Sequence, residues 1–347
     1  MLISRLGSAS LRTPPAAPRC LVHATRRRCY NRPADNGHVA SVPEPRLRRS
    51  WLYVPASSDK MLAKSLQVTS DMIIYDLEDS VSPVPADKEA ARLRLRHFLQ
   101  QQQHALDPQR VAVRVNSVKT EFFKEDMSHI LESSAVGTLV LPKVNSIEHL
   151  DYVSDLSRKL MPVNTRRELQ LVASIESAKA LWDIGSISRW ESRYGQDVQL
   201  SALLPDNAIR LTVCADTGII RTQSRRELLY ARSRIVMAAK AHGLEAIDMV
   251  CVNYKDSEEL KEESRDGRNL GFNGKQAIHP SQVDAIQSIY VPTEQEILRA
   301  AKIVHQLDGT GAVAIDGEMI DAPMLKQAEK VIRIAKAARL YIPDVRS

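Results

Sequence analysis

The feature that most constrains this chain is an alternation, repeated along its length, of short apolar runs with stretches of helical spacing. The runs are Ser50–Pro55, Asp71–Asp79, Arg110–Asn116, Gly137–Lys143, Leu171–Ser177, Val198–Leu204, Ala246–Val252 and Gly274–Pro280. Short apolar runs rich in Val, Ile and Leu and bounded by polar residues predict buried strands. Between them, helical spacing marks Asp59–Val68, Ala86–Gln103, Phe122–Leu131, Ile147–Leu160, Ser224–His242 and Ser257–Leu270. Gly243 and Gly271 are good helix stops for the last two. Strands alternating with helices eight times over predict an α/β fold of the closed (β/α)8, or TIM, barrel type. An open doubly wound sheet is the runner-up. No GxGxxG follows the first run, which argues against a Rossmann dinucleotide site. Two more helices, Glu294–Leu307 and Met324–Leu340, form a C-terminal helical extension. The expected organisation is a leader and linker over 1–47, a barrel over 48–290 and a C-terminal segment over 291–347.

The chain has 347 residues and a net charge of +6, which taken alone suggests a polyanionic partner. Much of that charge lies in the leader. Up to Pro33 there is no Asp or Glu, while Arg5, Arg12, Arg19, Arg26, Arg27, Arg28 and Arg32 alternate with Ser, Ala and Pro. Arg-rich, Ser-containing and acid-free is the composition of a mitochondrial transit peptide, so a matrix location is expected. The remaining body is near neutral, which argues against nucleic-acid binding by general electrostatics. No apolar stretch is long enough to span a bilayer, so no membrane association is expected. Cys20, Cys29, Cys214 and Cys251 form no CxxC pair, and neither a disulfide framework nor a zinc site is suggested.

The fifth run ends in Glu176, which puts a carboxylate at the C-terminal edge of the sheet, where α/β enzymes place their chemistry. In a barrel the other run ends converge there too. The mouth would contain Asp76, Glu78, Asp79, Arg114, Asn116, Lys143, Glu176 and His279. Several carboxylate oxygens with few nitrogen or sulfur ligands suit Mg²⁺, with Mn²⁺ as a substitute. An Arg beside such an ion suits a bidentate grip on a substrate carboxylate. A divalent ion chelated by a 2-oxo or 2-hydroxy acid stabilises an enolate, the chemistry of carbon–carbon cleavage or formation beside a carbonyl. Each residue also has a plainer role: Asp79 as a helix cap or turn residue, Arg114 as a structural partner of Glu78, His279 as a satisfied loop histidine. Lys143 offers a second enzyme reading, a Schiff-base aldolase, although surrounding acids hold a lysine charged and oppose nucleophilic use.

Arg49–Pro55, Asp76-Leu-Glu-Asp79, Arg114-Val-Asn116, Leu141-Pro-Lys143, Ile175-Glu-Ser177 and Gly274–Pro280 resemble, in this order, the motifs of the citrate lyase β-subunit-like proteins of the HpcH/HpaI aldolase superfamily. The resemblance covers about residues 48–343. It implies a Mg²⁺-dependent barrel, typically a homotrimer, that cleaves or forms 3-hydroxyacyl-CoA thioesters such as citramalyl-CoA or malyl-CoA by Claisen-type enolate chemistry. It further implies Glu176 as a metal ligand and Arg114 as the group binding the keto-acid carboxylate. Tyr53, Lys60, Lys64, Ile278 and His279 fall at positions that contact CoA. The two lysines, four residues apart, share one helical face suited to phosphates; a solvated basic face is the plainer alternative. Gly317–Met324 is similar to the segment whose Asp completes a neighbouring subunit's site, which makes Asp321 the expected general acid/base. From its own context Asp321 is a helix N-cap ahead of Pro323.

One stretch departs from the family. Its sixth strand ends in an adjacent Glu-Asp pair whose Asp is the second metal ligand. Here Pro205–Val213 contains a single carboxylate, Asp206, and counting back from Cys214-Ala-Asp-Thr-Gly218 puts the pair on Leu211-Thr212. Asp206 is the expected ligand if the strand ends just before it. The alternatives are a site with one protein carboxylate and weak metal binding, a misread exon boundary, or a catalytically impaired CoA-binding homologue.

Overall fold

The computed structural model describes residues 46–161, 167–205, 218–220, 222, 224–306, 313–315 and 318–345. Eight parallel strands close into a barrel in chain order: β1 Ser50–Pro55, β2 Met72–Asp76, β3 Val111–Arg114, β4 Thr138–Leu141, β5 Leu169–Ile175, β6 Val198–Pro205, β7 Glu245–Asp248 and β8 Gly274–Ala277. Each strand obeys a period of two. One set of side chains fills the bore: Trp51, Met72, Ile74, Ala112, Val140, Val172, Ala202, Leu204 and Ile247. The alternate set, including Leu52, Ile73, Val113, Leu139, Leu171 and Ala246, packs under the helices. Both faces are buried, which is why the strands read as continuous apolar runs rather than as alternating ones.

The helical layer contains α1 Asp59–Ser65, α2 Pro85–Gln101, α3 Phe122–Ile130, α4 Ile147–Leu160, the short α5 Ala178–Trp182 and α6 Ile184–Ser188, α7 Leu229–Ala241, α8 Ser257–Leu270 and α9 Val283–Ile289. Ser58 and Ser177 cap α1 and α5 through their side chains, and Asp256 caps α8. Gly271 stops α8 at φ +101°. The helices predicted after the first four strands and before β7 and β8 form within a few residues of expectation. The helix after β8 is a correction. The sequence places none before Glu294, yet α9 and a 3-10 turn at Pro280–Gln282 close the eighth unit. Several predicted strands are also shorter: β7 stops at Asp248 and β8 at Ala277, so Cys251 and His279 lie in loops.

Beyond the barrel, α10 Glu294–Gln306 and α11 Ala322–Ala337 pack through Ala300, Ile303 and Ala328, with Ile320 from the segment between them. A small antiparallel hairpin joins them, β9 Val313–Ile315 with β10 Glu318–Ile320. Among the described residues, no helix is long and apolar enough to cross a membrane.

The barrel closes where β8 meets β1, with the Lys275 N–H donating to the Arg49 carbonyl at 2.7 Å. A Cβ on Gly274 would lie 2.4 Å from the Arg49 carbonyl oxygen and 2.5 Å from that of Arg48. Backbone cannot yield there without opening the seam. Gly274→Ala is therefore expected to destabilise the fold by about 1–3 kcal/mol. Urea unfolding checks this: a lower midpoint at an unchanged slope is expected, and an unchanged midpoint refutes the tight seam.

Candidate active site

Strand parity builds the site. Two residues beyond Ile74 in the bore comes Asp76, two beyond Ala112 comes Arg114, and four beyond Val172 comes Glu176. The inward side of each strand thus turns from apolar to charged at its C-terminal end. Sheet register sets Asp76 directly opposite Arg114. Arg114 donates Nε and Nη2 to the two oxygens of Asp76, both at 2.7 Å, a bidentate pair. Its Nη1 lies 3.2 Å from Glu78 Oε2 and 3.3 Å from Asp79 Oδ2, and its guanidinium sits 4.7 Å from the centre of the Tyr53 ring. Burial raises the Asp76 pKa, but the charge and hydrogen bonds of Arg114 outweigh it and hold the carboxyl below its usual range.

Asp76 also accepts the N–H groups of Glu78 and Ser80, so the loop after β2 wraps around the same carboxylate. The loop is held from behind by Lys88 of α2, whose Nζ donates to the Leu77 carbonyl at 2.8 Å and the Glu78 carbonyl at 2.7 Å. Asn116 is at the mouth, but as structure: its side chain bridges the Leu77 carbonyl and Asp126, and Arg92 pairs with Asp126.

Lys143 lies two residues past the end of β4 in the left-handed region, at φ +56°. This brings its backbone N–H to Glu176 Oε1 at 3.0 Å and its Nζ to Glu78 Oε1 at 2.7 Å. One lysine thus ties the two glutamates together. Burial lowers its pKa, but the hydrogen bond and charge of Glu78, then Glu176 and Asp79, more than reverse this and hold the amine charged. The amine is therefore a poor nucleophile.

Glu176 is only 3% exposed. Burial pushes the Glu78 carboxyl up, opposed by Arg114 and reinforced by Asp79. Its Oε2 is shielded from solvent and receives no hydrogen bond among the described residues. A buried carboxylate oxygen that takes no hydrogen bond, its nearest cation Arg114 Nη1 at 3.2 Å, with a second buried carboxylate on the same lysine, offers hard oxygen donors of the kind a divalent cation takes. Among the described residues, one set of three ligand-type side chains converges, Cys251, Glu259 and Glu263, and it does not fit such an ion. Glu263 is paired with Lys275 at 3.1 Å and with Arg225. Burial, then the charge of Glu263, pushes the Cys251 thiol up to about 11.

The structure brings together all five residues expected at CoA. Tyr53, Lys60, Lys64, Ile278 and His279 line one cleft of about 380 Å³. The Tyr53 hydroxyl donates to Gln276 Oε1, and Gln276 in turn reaches the Pro205 and Asp248 carbonyls. Tyr53 therefore serves both the cleft and the bore. His279 stacks on Tyr254 at 4.9 Å. Asp206, Leu211 and Thr212 lie outside the described residues; β6 runs to Pro205, the residue before Asp206. Asp321 is at the start of α11, exposed, its carboxylate accepting the Met324 N–H as an N-cap. Sequence reasoning missed Lys88, Asp126 and Gln276. Lys88 and Asp126 carry no signal beyond polar helices, and Gln276 could have been found from the parity of β8.

Residues 49–280 match the HpcH/HpaI aldolase/citrate lyase family. The mitochondrial citramalyl-CoA lyase of Homo sapiens is 32% identical over 316 residues, covering 88% of this chain and 89% of that one. The citrate lyase subunit beta of Leuconostoc mesenteroides is 30% identical over 85% of this chain and 95% of its own length. Among solved structures, CitE from Mycobacterium tuberculosis in complex with magnesium, acetoacetate and coenzyme A superposes with a TM-score of 0.68 at 28% identity, covering 84% of this chain and 98% of that chain. With the closed barrel, the carboxylate mouth and the matched residues in agreement, this chain belongs to the HpcH/HpaI aldolase/citrate lyase family.

Proposed function

We propose that this protein is a Mg²⁺-dependent carbon–carbon lyase acting on a 3-hydroxyacyl-CoA thioester of the citramalyl-CoA or malyl-CoA kind. The observation that carries this reading is the pairing of two buried glutamates, joined by Lys143, with a separate cleft walled by Tyr53, Lys60, Lys64, Ile278 and His279. An acidic floor suits a metal and a keto acid; the adjoining cleft, with two lysines at its rim, suits a thioester carrying phosphates. The relatives named above support both halves.

Glu176 and Glu78 would hold the ion, with Asp206 as a further ligand. Bound there, Mg²⁺ supplies Lewis acidity toward the oxygen of a keto acid. Arg114, locked by Asp76, presents its remaining face to the substrate and orients the acid. Lys143 keeps its proton and adds positive charge where negative charge develops. Tyr53 seats the pantetheine end of the thioester against the bore, and Lys60 and Lys64 receive its phosphates. Asp321 moves the proton on the acetyl carbon, reached from a second copy of the chain in a homotrimer. The Arg-rich leader is a transit peptide to the mitochondrial matrix, in line with the mitochondrial relative.

The deciding experiment is mass-spectrometric detection of acetyl-CoA released from citramalyl-CoA with Mg²⁺ and then with EDTA. Release with Mg²⁺ and none with EDTA is expected. Retained CoA binding without turnover, on citramalyl-CoA and malyl-CoA alike, would assign a non-catalytic CoA-binding role. Glu176→Gln is expected to lower kcat by at least about 10³-fold and to lose Mn²⁺ binding together with it; full activity in this variant would remove Glu176 from the site. Lys60→Ala with Lys64→Ala is expected to raise KM for the thioester about 10-fold, read by steady-state kinetics, while kcat holds. Borohydride with substrate present should leave no adduct on Lys143. A trapped adduct there would establish the Schiff-base aldolase instead.

A further inference from the structure

Gln276 is wholly inaccessible, and its side chain links four strands at the top of the bore. Ladder pairing of β6 with β7 stops at Leu203 opposite Ala246, two residues short of the end of each strand. Gln276 of β8 takes over there. Its Nε2 donates to the Pro205 carbonyl at 2.7 Å and to the Asp248 carbonyl at 3.2 Å. A carbonyl accepts and never donates, so these two bonds use both amide protons and fix which way the amide faces. Its Oε1 is thereby turned to Tyr53 of β1, whose hydroxyl donates to it at 2.9 Å. A buried amide is tolerated when its polar atoms are satisfied, and here both have partners. Bracing two strand ends accounts for the amide protons. It does not account for the third bond, which goes to a side chain that lines the cleft.

We propose that Gln276 is a positioning residue that sets the hydrogen-bonding direction of Tyr53, so that the tyrosine meets a ligand in the cleft as an acceptor. This rests on the reading of that cleft as the seat of a CoA thioester. The hydroxyl proton of Tyr53 lies on Gln276, which turns the lone pairs of its oxygen to the ligand. The matching group on the ligand is a donor, and the pantetheine arm of CoA carries amide N–H groups of that kind. The ring is held as well. The Arg114 guanidinium lies over its face at 4.7 Å while Gln276 holds its tip, so the oxygen is in place before a ligand arrives. Without the amide the hydroxyl is no longer held to that direction. An N–H of the ligand then meets a proton as readily as a lone pair.

A double-mutant cycle separates this role from strand bracing. Gln276→Met keeps the stem and removes the amide. CoA titrated by calorimetry should bind this variant about 10-fold more weakly than the wild type, and Tyr53→Phe should weaken CoA by the same factor. The variant carrying both changes should bind CoA no more weakly than Tyr53→Phe alone, because the amide acts through the hydroxyl. An amide that only braces Pro205 and Asp248 would instead weaken CoA by the same factor with or without the tyrosine hydroxyl. Gln276→Leu reports the same cycle should the methionine variant not fold. Should neither fold, unchanged CoA binding in Tyr53→Phe still overturns the proposal. If the wild type itself does not bind CoA, the reading of the cleft and this proposal fall together. If it binds CoA while the neutral Gln276 variants shift the constant by less than about 2-fold, or shift it equally without the tyrosine hydroxyl, this proposal alone is overturned.

Discussion

The bidentate pair between Asp76 and Arg114 is the interaction on which the rest of the mouth depends. Neighbouring strands place the two residues opposite one another, and parity turns both into the bore. The pair occupies Nε and Nη2 of the guanidinium, so its rotation is fixed and its third nitrogen faces Glu78 and Asp79. The same carboxylate accepts two backbone N–H groups of the β2 loop. One aspartate therefore orients the arginine and the loop that carries Glu78. Breaking a buried pair by removing one partner costs about 3–5 kcal/mol, because the survivor is left charged and dry. The mouth is rigid for that reason. Its groups are positioned before any ligand arrives, the condition under which fixed charges act most strongly on a reacting oxygen.

The site has two ends of different character. At the acidic end, Asp76, Glu78, Arg114 and Glu176 are all nearly inaccessible and their mutual distances are set by strand register and the left-handed turn at Lys143. The cleft end is built from exposed residues on α1 and the β8 loop, with Ile278 41% exposed. A reaction at one carbon needs the first kind of precision. A long flexible thioester tail needs only a place to lie and cations near its phosphates. Tyr53 joins the two ends, its ring under Arg114 and its hydroxyl on Gln276.

The barrel was legible because burial on both faces leaves an unbroken apolar run, and a run of that kind carries few alternatives. The end residues of those runs were legible for the same reason: Asp76, Arg114 and Glu176 are where each run meets its first charge. What the sequence concealed depends on three dimensions. Lys88 sits in Pro85–Gln101, a helix with so many charged and polar residues that nothing marks its one lysine as buried. Asn116 read as a mouth residue and proves to brace Asp126, since an amide two residues past a strand end can turn either way. The helix α9 was missed because it is short and follows a proline, and short helices are held by tertiary packing of Val283 and Ile286 rather than by local preference. Asp321 shows the N-cap its own neighbours predict.

The electrostatics of the mouth also bear on the two enzyme mechanisms the sequence left open. An aldolase lysine must shed its proton near neutral pH, which calls for a dry apolar pocket or neighbouring cations. A divalent-metal site calls for the reverse, a surplus of carboxylates on hard oxygen. Lys143 cannot serve both. It stands on Glu78 at 2.7 Å with Glu176 bonded to its own backbone, and those carboxylates hold its proton in place. The field that would draw in a metal is the field that denies the amine its lone pair. A single acidic floor thus suits the proposed metal-dependent lyase better than a Schiff base at Lys143.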